Sequence, residues 1–310
     1  MLYGEVGDLT MPTSPPSILQ CKMVSCLREA IQIGPVFLRA DAVLVFLCGA
    51  NKSPEMPRTI RDELLEYARK HFTTFRFFKA EEIFEALRGD NKADLLTLED
   101  KIADYSDCII IICESASAFA ELGAFTHSNQ LVKQVLIIND RKFRDASSFI
   151  TLGPVAKANK RSSFKPALYA DFRSVLQSAE EIKSKLETIK RVNRQRRVLA
   201  SEADFRNTRP KHRALFLADL IHLLSPTNLP EVDEVLRFLY GQCHLEIKLE
   251  LALLRSFGLV NEDAGWLCYS PLENSFFYDY AYPTSLLRGL VVRFHHKTRR
   301  NRLLKSGPRL

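Results

Sequence analysis

The feature that most constrains this chain is an alternation of unbroken apolar runs with helical patterns across its first half. AVLVFLC (42–48), TFRFF (74–78), DCIIIIC (107–113), QVLIIN (134–139) and ALYADF (167–172) read as strands. Runs as continuous as VLVFLC and CIIII are apolar on both faces of a pleat, which suits a parallel sheet covered on both sides. Between them, RTIRDELLEYARKH, AEEIFEAL, ADLLTLEDKIADYS and AFAELGAFTHSNQL carry apolar residues at helical spacing. Such alternation predicts βαβ crossovers and an α/β, doubly wound parallel sheet with helices on both faces. Ligands of these sheets bind beyond the carboxyl ends of the strands.

One of those ends reads CESASAFAELGAF, Cys113 to Phe125. It places Glu114 and Glu121 around the small residues Ser115, Ala116, Ser117 and Ala118, with Gly123 close behind. Glu121 is expected in the first turn of the following helix. An acid there complements the helix dipole by a few tenths up to about 1 kcal/mol. That accounts for Glu121 alone. Small residues let a ligand approach a helix N-terminus, whose free N–H groups favour phosphate. A glycine inside a helix costs stability unless something packs closely against it. On a sugar, a carboxylate in this place has one well-defined action: it attacks, or stabilises, the anomeric carbon as oxocarbenium character develops. A leaving base that is already cationic needs no general acid.

Glu121 is therefore the candidate catalytic residue, and Glu114, Ser115, Ser117 and Gly123 are candidate substrate-binding residues. Gly49 and Asn51 join them from the loop after the first strand. Glu81 follows the second strand, where nucleotide-binding sheets place a ribose-binding acid. Lys52 reads either as a phosphate contact or as an exposed loop lysine. Glu81 and Glu82 read equally as helix-start acids. His127, six residues beyond Glu121, falls on another helix face and is given no catalytic role.

A chain of 310 residues exceeds what one core usually serves. The second half has a different pattern. HRALFLADLIHLLS, LPEVDEVLRFLYGQ and HLEIKLELALLRSFG read as three helices, and LVNEDAGWLCYSP as two short strands. That order predicts an α+β winged helix-turn-helix. The expected organisation is a leader and helix (1–40), the α/β domain (41–173), a charged helical connector (174–204), the winged helix (205–280) and an extended basic tail (281–310).

The formal charge is +7. Lys190 to Arg213 holds nine Lys or Arg against two acids, and no acid follows Asp279. Two basic stretches flanking one segment suggest a polyanion, with a solvated surface as the plainer reading. Candidate contacts are Arg194, Arg196 and Arg197 in the connector and Lys248 and Arg255 on the third helix. Arg293, Lys297, Arg299 and Arg300 in the tail complete the set. Glu246 and Glu250 interleave on the third helix, which points to phosphate contact without sequence choice rather than base reading. Seven scattered cysteines suit reduced thiols in a cytoplasm. No CxxC pair or His/Cys spacing suggests a metal site. The N-terminus lacks a signal-peptide pattern, and no apolar run approaches the ~20 residues of a membrane span.

VFLCGA and SDCIIIICESASAFAELGAF resemble the first-strand loop and the most telling block of the nucleoside deoxyribosyltransferase family. The resemblance spans the α/β region. It implies that Glu121 is the nucleophilic glutamate and that Glu99, eight residues before Asp107, is a substrate-binding acid. By itself Glu99 reads equally as a surface helix residue. The family's acidic loop before the nucleophile is here Glu114-Ser115-Ala116-Ser117. With its second half and FITLGPVAKANKRSSF (149–164), the whole chain is similar to deoxyribosyltransferase-like effectors of bacterial retrons. In these anti-phage units a reverse transcriptase with its RNA-linked DNA restrains a toxic effector. The resemblance implies an oligomeric N-glycosidase with no cofactor, NAD as substrate, and the reverse transcriptase with its RNA-linked DNA as partner. Nucleosides and nucleotides are alternative substrates. A nucleotide-sensing DNA-binding regulator without catalysis is the competing class, and it has little use for Glu121 and Gly123 at a strand tip.

Overall fold

The computed structural model describes residues 16–33, 36–39, 42–54, 57–87, 95–189, 201–241, 247–263, 266–269 and 276–298. The described residues open with a 3-10 turn (Ile18–Gln20), helix α1 (Lys22–Ile33) and a two-residue strand β1 (Phe37–Leu38). There follow β2 (Val43–Cys48), α2 (Ile60–His71), β3 (Phe75–Phe78), α3 (Ala80–Ala86), α4 (Leu95–Tyr105), β4 (Cys108–Ile112) and α5 (Ala116–His127). Then come β5 (Val135–Asp140), a π-helical turn (Thr151–Val155), α6 (Ala156–Arg161) and β6 (Leu168–Ala170). Strands β2 to β6 form one parallel sheet in the order β3-β2-β4-β5-β6. This is the sheet that the apolar runs predicted.

The central strands are buried along their whole length, and their side chains alternate between two cores. Leu44, Phe46 and Cys48 join Ile109 and Ile111 on the face covered by α3, α4 and α5. Val43, Val45 and Leu47 join Ile110 and Ile112 on the face covered by α2. Two helix starts differ from expectation because polar caps set them. Thr59 accepts a hydrogen bond from the Asp62 N–H, so α2 begins at Ile60 rather than at Pro57. Ser115 accepts from the Ala118 N–H at 3.2 Å, so α5 begins at Ala116. Glu121 therefore falls in the second turn of α5, not the first, beyond the reach of the helix-end charge.

The second half contains α7 (Ala179–Glu187), α8 (Glu202–Asn207), α9 (Pro210–Leu224), α10 (Leu229–Tyr240) and α11 (Ile247–Ser256). An antiparallel hairpin, β7 (Val260–Asp263) and β8 (Trp266–Tyr269), is followed by β9 (Tyr278–Asp279) and α12 (Thr284–Thr298). Thr227, between α9 and α10, bridges to Leu267 on the hairpin. Residues 281–298 do not form an extended tail as expected. TSLLRGLVVRF carries apolar residues at helical spacing, and α12 buries Leu287, Val291 and His295. It packs on α9 and on α1. Strand β1 pairs with β9, so Phe37 and Leu38 are joined to Asp279 and Tyr278.

Among the described residues, members of the first and second halves from Ile18 to Val291 share one apolar cluster with the α3–α5 face of the sheet. Three contacts fasten the halves together. The rings of Phe78 and Phe257 meet edge-on at 5.0 Å. The Tyr105 hydroxyl donates to Glu250 at 3.1 Å. The buried Lys211 ammonium lies 2.9 Å from the Asp107 carboxylate and donates to the Ala42 carbonyl at 3.2 Å. Arg194, Arg196, Arg197, Arg299 and Arg300 lie outside the described residues. No helix among the described residues is long and apolar enough to cross a membrane.

Candidate active site

Strand order reverses between β2 and β4, since α2 carries the chain to one side and α3 with α4 returns it to the other. A crevice opens at such a switch point, outside the carboxyl ends of the strands. Cys48 ends β2 there, alongside Ile111 of β4.

Glu114 holds this edge together. Its Oε1 accepts the Ala50 and Arg61 N–H groups at 3.1 and 3.0 Å, and its Oε2 accepts the Ile60 N–H at 2.9 Å. The carboxylate thus serves the free donors that begin α2 and the loop after β2. Both oxygens of this expected substrate-binding residue are engaged by backbone. Gly49 stands where no other residue fits: an added Cβ would lie 2.9 Å from both Arg61 Cβ and Glu114 Oε1.

Arg61 is the residue that sequence reasoning missed. It is 3% exposed. Its Nη1 donates to Glu81 Oε1 and its Nη2 to Asn51 Oδ1, each at 2.8 Å, while its buried Nε has no partner among the described residues. One guanidinium therefore sets the β2 loop against the start of α3. Its position three and four residues before Leu64 and Leu65, on the buried stripe of α2, was the available signal.

The structure gathers Glu81, Glu99 and Glu121 around Arg61 and Cys48. Burial, then the charges of Glu99 and Glu81, push the Glu121 carboxyl up to about 8, against the opposing pull of Arg61 and the Cys48 thiol. Glu121 Oε2 is buried and has no hydrogen-bond partner among the described residues. Burial, then Glu81 and Asp100, raise Glu99 to about 7. Burial and the adjacent carboxylates hold the Cys48 thiol well above its ordinary range. The crevice thus holds two acids that ionise near neutrality, the arrangement expected where a carboxyl group is tuned for a task.

The remaining candidates are dispersed. Ser115 caps α5 and shares a hydrogen bond with Ser117 at 2.9 Å. A Cβ on Gly123 would meet nothing within 4 Å, so the expected close packing against protein is absent among the described residues. Glu82 pairs with Arg69 on the surface, and Lys52 lies 3.8 Å from Asp62. His127 is exposed at the end of α5, and His295 is buried against the Leu224 carbonyl.

The basic candidates divide in the same way. Helix α11 buries Leu249 through Leu254 and packs on α3, so this helix lies against the sheet domain. Lys248 is exposed at its start, and Arg255 is tied to Glu262. Arg293 and Lys297 are exposed on α12. Arg288, in contrast, donates to the Leu223 and Ser225 carbonyls and closes the end of α9.

Comparison with known proteins gives a consistent picture. A family model described as STM3845 retron effector protein matches residues 57–262. An Escherichia coli protein named "Retron Ec73 putative ribosyltransferase/DNA-binding protein" is 29% identical over 276 residues, covering 84% of this chain and 86% of that protein. The retron Ec86 protein of the same description, also from Escherichia coli, is 34% identical over 122 residues, 39% of each chain.

Proposed function

The chain belongs to the STM3845 retron effector protein family, and from that premise we propose that its crevice hydrolyses an N-glycosidic bond, with NAD as substrate and nicotinamide as the leaving base. The observation that carries this reading is Glu121: a half-buried carboxyl group, raised to about 8, whose buried Oε2 has no hydrogen-bond partner among the described residues. The descriptions of the Escherichia coli relatives as ribosyltransferase/DNA-binding proteins support chemistry at a ribosyl centre.

Ionising Glu121 in this water-poor place needs a neighbouring positive charge. The pyridinium of NAD supplies one, and its arrival favours the carboxylate. As the bond from ribose C1′ to nitrogen breaks, its electron pair goes to the ring nitrogen and neutral nicotinamide leaves. Positive charge then develops on the sugar, where the Glu121 carboxylate stabilises it. Water adds at C1′ and gives up a proton to the carboxylate cluster, leaving ADP-ribose. No general acid is required. Glu99, beside Glu121, accepts a hydrogen bond from a ribose hydroxyl. Arg61 positions Glu81 and the Asn51 loop around the sugar.

The three helices, the hairpin and the Thr227–Leu267 bridge support a winged helix-turn-helix in the second half. Its third helix is occupied by α3, so nucleic-acid contact is assigned to the exposed cations of α12, Arg293 and Lys297. In this reading the reverse transcriptase with its RNA-linked DNA holds an oligomeric effector inactive until phage infection. Purified protein incubated with NAD, nucleosides and nucleotides, followed by chromatography of released base, tests the chemistry. Nicotinamide release that disappears in Glu121→Gln is expected. Release that persists in that variant, or no base from any substrate, refutes the assignment.

A further inference from the structure

A second cleft lies at the same edge of the sheet. It encloses about 800 Å³, within the range of small-molecule sites. Its walls come from the residues that follow β4, β5 and β6 and from the start of α2. Among the described residues, none of Glu81, Glu99 and Glu121 lines it. Glu114, which lines it, is bound on both oxygens by backbone N–H groups.

Four cations line this cleft: Arg58, Arg141, Lys142 and Arg173. Lys142 meets Asp140 at 3.0 Å, and Arg173 meets Asp171 at 3.7 Å. Arg58 lies 3.5 Å from Glu63, which is not part of the lining. Glu114, Asp140 and Asp171 also line the cleft, so four cations face three carboxylates and the lining is net positive by one charge, around an aromatic surface. Phe119, Phe143 and Phe172 supply that surface. Phe143 is 41% exposed, with the Lys142 ammonium 4.8 Å from its ring centroid. An exposed phenyl ring among guanidinium and ammonium groups suits a flat ring joined to phosphates.

We propose that this cleft binds a free nucleotide, with its base against Phe143 and Phe172 and its phosphates on Arg141, Lys142 and Arg173. The site is independent of glycosidic cleavage at Glu121, and the test keeps the two apart. Full-length Glu121→Gln protein, in which any turnover is silenced, is titrated calorimetrically with ADP, pyrophosphate and adenosine. Saturable ADP binding is expected, tighter than pyrophosphate, with adenosine weakest. Adding Arg141→Glu weakens ADP by about tenfold or more, since a charge-assisted contact becomes repulsive. Adding Phe143→Ala weakens it by a smaller factor and leaves pyrophosphate unchanged. Both side chains are exposed, and matching thermal melts establish that the fold is retained. Adding Glu99→Gln leaves ADP affinity unaltered. The proposal is overturned by absence of saturable ADP binding, or by equal affinity for pyrophosphate and ADP. It is equally overturned if Arg141→Glu and Phe143→Ala bind as the parent does, or if Glu99→Gln abolishes binding, which would put the nucleotide in the catalytic crevice.

Discussion

Replacing Glu121 by Gln should make the protein less active and, above neutral pH, more stable. The carboxyl group stands at about 8 instead of its ordinary 4.5, first because of burial and then because of Glu99 and Glu81. Its folded value lies above its unfolded one, so the folded chain keeps a proton that the unfolded chain releases. The associated stability is fully present below about pH 4.5 and is lost as pH rises through about 8. Each tenfold change in proton affinity is worth about 1.4 kcal/mol, which sets a ceiling of about 5 kcal/mol. Glu121 is partly covered rather than sealed, and solvent and the neighbouring Arg61 reduce this to about 1–3 kcal/mol. Gln keeps the shape and cannot ionise. Thermal melts followed by circular dichroism should superimpose near pH 5 and separate in favour of the variant near pH 9. Nicotinamide release should fall by about 10³-fold or more, as when a transition-state charge partner is removed. In the parent protein kcat/KM for NAD should climb with pH toward about 8 as Glu121 ionises. Melts that coincide at every pH would refute the buried-acid reasoning, and a flat kcat/KM profile would refute the requirement for a carboxylate.

Three further outcomes are expected. Gly49→Ala places a methyl group 2.9 Å from Arg61 Cβ and Glu114 Oε1, and a melt should register a loss of about 1–3 kcal/mol from overpacking. Gly123→Ala meets open space, so base release should be unchanged and stability should rise by up to about 1 kcal/mol; a lower melting temperature would mean a contact has been overlooked. Lys211→Met takes the ammonium from Asp107 and leaves it Arg209 at 3.6 Å and the Leu44 N–H, and denaturant unfolding should record a loss of about 1–3 kcal/mol.

The five strands of the parallel sheet were legible because each is a short, largely apolar run, and β2 and β4 read as buried strands of a parallel sheet; β1 and β9, two residues each, were not. The place of the crevice followed from that topology. Caps were less legible: Thr59 and Ser115 decide where α2 and α5 begin, and with that the turn in which Glu121 lies. The basic content of residues 281–298 concealed a helix whose apolar stripe, Leu287, Val291 and His295, is buried. Charge counted along a chain says nothing of which face each cation occupies, and Arg288 turned inward to carbonyl groups while Arg293 did not.

By itself the sequence determined the strand and helix alternation, because it rests on local periodicity, and it offered Glu121 as a candidate from the spacing within one loop. Tertiary structure alone decided which acids share an environment. Glu81, Glu99 and Glu121 come from three different helices, and only folding brings them close enough to raise one another's proton affinity. The same holds for Glu114, whose carboxylate is claimed by donors from Ala50, Ile60 and Arg61. It holds too for α11, which a linear reading offers to nucleic acid and the fold lays against α3. Electrostatic energy and burial depend on distances through space, and a linear pattern encodes those only where neighbours in space are also neighbours in sequence.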